Sequence, residues 1–288
     1  MKPIRIQQAW VGAPAGPWTP TIGLFVITTG GYAALAAAYL RGAVSAPVTV
    51  VLGGILIYLG FTVLHDGVHR TGHRNRALNN AMARVCGLLL TVPFPLFRGV
   101  HLEHHAHTND PSRDPDFIVS RRPRWLLPLW CLAVTVDYRR KFYGNRLWRK
   151  RGDLVETVAV EILIVAILGA CLATGHAIDL LVLWFIPGTL AVLFLAFAFD
   201  FLPHHPHSEQ TRYYDTRIYP GRLLNWLLLG QNYHLVHHLW TTIPWYRYQR
   251  VYRALEGDLR VRECPIGWDR IATAPPPGMG GGDVPPNR

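Results

Sequence analysis

Long uncharged apolar runs alternate with polar segments along the chain. Residues 21–40, 42–64 and 180–199 carry no charge, and residues 157–178 contain only Glu161. A helix crosses the bilayer hydrocarbon with roughly 20 apolar residues, so each run is long enough to span. A buried helix of a soluble protein is usually shorter and amphipathic. The pattern predicts an all-α integral membrane protein with about four transmembrane helices. Two shorter apolar runs, residues 86–97 and 125–136, cannot span, and Pro93 and Pro95 interrupt the first. They read as re-entrant or interface-lying pieces, with core helices of a cytoplasmic domain as the alternative.

Composition agrees with a membrane class, since 50% of the residues are hydrophobic and only 16% charged. The positive charges then set an orientation. Sixteen of the 29 Lys and Arg fall between His65 and Arg151, ten from Arg212 onward, two before the first span, and Arg41 stands alone. With four spans, Arg41 and the 175–179 connection share one side, and both termini share the other with the 65–156 segment. The positive-inside rule makes that second side cytoplasmic, and a bacterial inner membrane is the expected location. The net charge of +11 is accounted for by basic inner loops beside anionic headgroups. No nucleic-acid recognition motif accompanies it, and the N-terminus lacks the apolar core of a secretory signal. Cys86, Cys131, Cys171 and Cys264 form no CxxC pair and read as inert thiols. The expected organisation is an N-terminal cytoplasmic segment (1–20), a single membrane domain (21–272) and a disordered Pro/Gly-rich tail (273–288).

The chemistry lies in the histidines. Thirteen of 14 fall on the side assigned as cytoplasmic; His176 is the exception. "HDGVHRTGH" sets His65 and His69 at i and i+4, with His73 one turn on. "HLEHH" and "HLVHH" repeat one spacing and supply His101, His104 and His105, then His234, His237 and His238. Residues at i, i+3 and i+4 share a helix face, so each triplet converges. "FDFLPHHPH" adds His204, His205 and His207, with Asp200 one turn before His204. Imidazole suits zinc, copper, iron and nickel, and no cysteine lies near enough for a thiolate site. One structural zinc is saturated by four ligands. Eight or nine imidazoles therefore imply two ions with open positions. Asp66, Glu103 and Asp200 are candidates to orient ring N–H groups or a bound water, with a solvated neighbour as the alternative for Glu103.

HxxxH, HxxHH and HxxHH across a four-span chain resemble the membrane fatty acid desaturase and hydroxylase superfamily. Within it, "VHLEHHAHTNDPSRDPD", "FDFLPHHPH", "RIYP" and "GQNYHLVHHLWTTIPWYRYQ" resemble the desaturase-type β-carotene 3-hydroxylases. The resemblance covers roughly residues 61–255 and implies a non-haem di-iron centre, with molecular oxygen as co-substrate and hydroxylation of carbon 3 of a carotenoid β-ring. It also implies the ligands: His65, His69, His101, His104, His105, His234, His237 and His238, with His204 as the additional one. His205 and His207 compete with His204 in "PHHPH", and His73 and His107 are left open as ligands or supporting donors.

An apolar channel with aromatic walls is expected for a lipid-soluble polyene, and Phe94, Phe97, Trp240, Trp245 and Tyr246 flank the boxes. An interfacial aromatic belt is the competing reading for all five, and the favoured one for Trp245 and Tyr246. No haem, flavin or iron–sulfur signature is present, so two electrons per turnover come from an external donor. An acidic ferredoxin suits the basic face. Rival readings are an acyl-lipid desaturase, a carotenoid ketolase and, from another class, a histidine-rich metal-handling membrane protein.

Overall fold

The structure, a computed structural model, describes residues 3–268. The Pro/Gly-rich tail expected to be disordered lies outside the described residues. Four helices are long and apolar enough to cross a membrane: α1 (Pro20–Leu40), α2 (Ala46–His69), α6 (Arg151–Ala173) and α7 (Ala177–Phe201). All four expected spans are present, and among the described residues there is no strand, only one bridge between Ile218 and Ile266.

Local chemistry explains the helix ends. Thr19 caps α1 by accepting from the Ile22 amide through its side chain, with Pro20 at the first helical position. Asn75 does the same for α3 (Arg76–Leu89), accepting from Ala77 and Leu78. The run with Pro93 and Pro95 becomes a break: α3 and α4 (Phe94–Ala106) meet at 96°. Proline cannot donate an amide into a continuing helix, so the helix breaks there, and the pair is either a broken span or a re-entrant loop. The other short run forms part of α5 (Leu127–Gly144).

Helix α2 is the centre of the bundle, packing against α1, α3 and α7. Its most apolar 18-residue stretch is 50% buried, whereas that of α6 is only 6% buried. The bare apolar surface of α6 is the face a helix shows to lipid rather than to water. A second, smaller core caps one end of the bundle. It joins Trp10, α9 (His234–Leu239) and α10 (Tyr248–Val261), after the short α8 (Arg222–Leu227). Tyr248, Val251, Tyr252, Leu255 and Leu259 are the buried face of α10, at the spacing of an amphipathic helix.

Two glycines fix how closely the site's supports approach. A Cβ on Gly67 would lie 2.4 Å from the Cβ of Ala83, so α2 and α3 touch there. Gly230 has φ +81, and a Cβ on it would meet the Trp245 carbonyl at 2.6 Å. Gly67→Ala is expected to force α2 away from α3 and to destabilise the protein by about 1–3 kcal/mol. Because Gly67 lies between His65 and His69, metal content should fall as well. Thermal unfolding and metal analysis of the purified variant check both effects.

Candidate metal centre

Four segments deliver histidines to one place. The last turns of α2 carry His65 and His69, and those of α4 carry His101, His104 and His105. Helix α9 carries His234, His237 and His238. His204 follows α7, whose final stretch, Ala196–Phe201, is a π-turn. A π-turn shifts the register of the face that follows it and is frequent at functional sites.

These nine rings sort into two groups. His65, His69, His101, His105 and His237 form one cluster; His104, His204, His234 and His238 form the other. Within each, one ring nitrogen per residue lies within 4.8 Å of all the rest. In the first cluster Nε2 of His65 is 3.0 Å from that of His237, and Nε2 of His101 is 2.9 Å from that of His69. His105 Nε2 lies 3.1 Å from His101 and 2.9 Å from His237. In the second, His234 Nε2 is 3.1 Å from both His204 and His238, and His104 is 3.3 Å from His238.

Metal–nitrogen bonds of about 2.0–2.1 Å put ligands at right angles about 3 Å apart, which is the spacing found here. Burial and the neighbouring imidazoles hold His105, His237 and His238 well below the ordinary histidine range. They therefore stay neutral, as a metal ligand must. The donor set thus fits two ions, and no carboxylate belongs to either cluster among the described residues. All-imidazole donors suit iron, zinc or copper.

The far nitrogens are held too. Asp114 Oδ1 lies 2.8 Å from Nδ1 of His104, and Asp116 Oδ2 lies 3.2 Å from the same atom. Burial opposes protonation of His104, but these carboxylates outweigh it and push the ring up to about 10. With Nδ1 carrying the proton toward Asp114, Nε2 faces the cluster as a more basic donor. Asp114 is itself fixed, accepting from the Asn109 amide at 2.7 Å and the Asp116 amide at 2.9 Å. Tyr138 donates its hydroxyl to Asp116 at 2.6 Å. His237 Nδ1 lies 2.8 Å from the Tyr248 hydroxyl. Asp114→Asn should weaken metal binding about 10–100-fold with little change in fold, read by competition with a chelator.

Sequence reasoning missed Asp114, Asp116 and Tyr138. The signal was the acidic stretch "NDPSRDPD" directly after the second box. Asp110 in that stretch shapes the loop instead, accepting from the Ser112 and Arg113 amides.

The other candidates are placed differently. Asp66 is buried but accepts from the Thr21 hydroxyl at 2.9 Å rather than from a clustered histidine. Glu103 turns outward to Arg113 and His107, at 2.9 and 3.3 Å. His73 accepts from the Asn75 amide. His73, His107, His205 and His207 belong to neither cluster. His205 is exposed, and His207 is buried with φ +66. His176 pairs with Asp179 at the start of α7, at the opposite end of that helix from His204.

A cavity of about 20 Å³ touches both clusters, reaching His65 and His101 on one side and His104 and His234 on the other. Its remaining walls are Phe61, Phe97, Asp116, Tyr138, Phe199, Asp200 and Gln231. Asp200 and Phe97 both line it. Phe94 stands apart, with Arg84 and Arg98 over its ring at 5.6 and 5.3 Å. Trp240 is in the second core. Trp245 donates its indole N–H to Thr21, and Tyr246 has Arg247 over its ring. Phe61 and Phe97 each precede a box by one helical turn, Phe61 before His65 and Phe97 before His101. That spacing puts aromatic and ligand on the same face and was readable in the sequence.

A membrane-spanning helical bundle with two histidine clusters at one end is the architecture of an integral-membrane oxidoreductase. The family model described as "Fatty acid desaturase" matches residues 42–269, and the chain belongs to that family. It is 25% identical over 251 residues to dihydrorhizobitoxine desaturase of Bradyrhizobium elkanii, covering 76% of this chain and 70% of that protein. It is 26% identical over 254 residues to sn-1 oleoyl-lipid 12-desaturase of Arthrospira platensis, covering 77% and 72%. Zeaxanthin 4-ketolase of Chlamydomonas reinhardtii is 27% identical over 211 residues, covering 70% of this chain and 43% of that protein.

Proposed function

We propose that the chain is an oxygen-dependent di-iron monooxygenase that hydroxylates carbon 3 of a carotenoid β-ring. The observation that carries the di-iron reading is one aromatic-walled cavity bounded by histidines of both clusters. When bound, iron in the two clusters supplies oxygen activation. One oxygen atom enters a C–H bond and the other leaves as water, with two electrons and two protons from outside.

The protein's own part is positioning and exclusion of water. Phe61, Phe97 and Phe199 present apolar ring faces to the cavity, and Phe97 stacks on His101 with centroids 5.2 Å apart. At about 20 Å³, the space suits a water-sized guest. A substrate ring therefore enters by displacing these aromatic walls. Asp114 holds His104, and Tyr138 anchors Asp116 behind it.

The carotenoid as substrate rests on the sequence around the boxes and on the ketolase relatives, one of them named for zeaxanthin. Acyl-lipid desaturation is the second reading, favoured by the oleoyl-lipid desaturase relative. Both histidine clusters lie at one end of the bundle instead of along a path through it, which disfavours a metal carrier. A ferredoxin-like acidic protein is proposed as electron donor, and the bacterial inner membrane as location, with the clusters and both termini on the cytoplasmic side.

The test is expression in cells that accumulate β-carotene and contain a ferredoxin. Hydroxylation yields β-cryptoxanthin and zeaxanthin, each hydroxyl carrying oxygen from O₂. New double bonds in membrane acyl chains with unchanged pigment support the desaturase instead, and ring ketones support a ketolase.

A further inference from the structure

A cavity of about 350 Å³ lies where α2 ends and α6 begins, away from the cavity between the metal clusters. Its walls carry Arg70, Arg76, Arg98, Arg149 and Lys150 against a single carboxylate, Asp153. That carboxylate is buried and already paired, with Arg98 at 3.0 Å. Arg70, Arg76, Arg149 and Lys150 are exposed and face no carboxylate within salt-bridge distance among the described residues. A second space of about 170 Å³ continues from it, sharing Arg98, Arg149 and Asp153. Four uncompensated cations around one concavity repel one another, and an anion seated among them relieves that cost.

The position selects the anion. Helices α2 and α6 are both membrane spans, and their ends at this cavity put it at the level of the lipid headgroups. A flat basic patch suits a protein partner, whereas a concavity of this size between span ends suits a small phosphate-bearing group.

We propose that this cavity binds the phosphate of an anionic phospholipid headgroup. A phosphodiester accepts from the guanidinium forks of Arg70, Arg76 and Arg149, while the ammonium of a zwitterionic headgroup is repelled by the same cations. The site is independent of the reaction assigned to the metal clusters.

The experiment uses the full chain in detergent, with native mass spectrometry of retained lipid. Wild-type protein is offered equal phosphatidylglycerol and phosphatidylcholine, and the same is done with the double variant R76Q/R149Q. A charge-matched control, Arg250→Gln with Arg253→Gln, changes cations on α10, outside this cavity. Wild type and control should retain phosphatidylglycerol preferentially, and the cavity variant should lose at least about tenfold in that retention. Equal retention of the two lipids, or an equal loss in the control, overturns the proposal. Displacement of phosphatidylglycerol by millimolar inorganic phosphate assigns the cavity to soluble phosphate and overturns the lipid source. Unchanged retention in R76Q/R149Q, with a raised KM for an acidic electron carrier, overturns it in favour of a protein-docking surface.

Discussion

His104→Ala removes metal from the four-histidine cluster and abolishes turnover, while His176→Ala leaves both unchanged. His104 is the most heavily supported ligand in the site. Its Nε2 faces His238, and its Nδ1 is held by Asp114 at 2.8 Å. Removing a residue that only orients a ligand costs about 10–100-fold, and loss of the ligand itself should exceed that. The vacated space also leaves the buried Asp114 and Asp116 without the His104 ring N–H beside them, so some loss of stability accompanies the loss of activity. His176 is exposed and pairs only with Asp179. Turnover and metal content measured on the two variants side by side separate a ligand from a surface histidine. Full activity in His104→Ala rules out its role as a ligand.

The second large effect separates neighbours in "PHHPH". His204→Ala should eliminate turnover, because its Nε2 lies 3.1 Å from that of His234 inside the four-histidine cluster. His205→Ala should retain most of it. The helical path holds through this point, with the His205 amide bonding the Phe201 carbonyl at 3.0 Å. Successive residues therefore point about 100° apart, and His205 is turned out to solvent. His207 is buried against Phe117 and Phe201 and outside both clusters, so His207→Ala should cost stability more than metal. Iron content and product formation in the three variants give the ranking. The reverse order for His204 and His205 moves the ligand by one residue.

Much of the fold was legible because lipid imposes a simple rule: a span must be long, apolar and helical. Residues 21–40, 42–64, 157–178 and 180–199 therefore mark α1, α2, α6 and α7 before any coordinates are known. The histidine groups were legible because i, i+3, i+4 spacing fixes a common face. Their division into five and four was not. His104 and His105 are adjacent in sequence yet belong to different clusters, as do His237 and His238. Adjacent helical residues diverge, so one box serves two ions, and only the crossing of α2, α4 and α9 decides which ring goes where. The support around them was harder still. Asp66 and Glu103 lie beside boxes in sequence, but Thr21 and Arg113 take them. Asp114, ten residues past His104, reaches it because the loop capped by Asp110 folds back. Trp240, Trp245 and Tyr246 flank the third box in sequence yet pack away from the cavity, while Phe199 reaches it from α7.

The central claim is that the two clusters each hold an iron and that turnover needs both. Titrating metal-stripped protein with ferrous iron, under oxygen with a reducing donor and substrate, measures this directly. Turnover should rise to a plateau at about two irons per chain, one for each cluster. A plateau at one iron, or turnover that does not depend on iron, would contradict it.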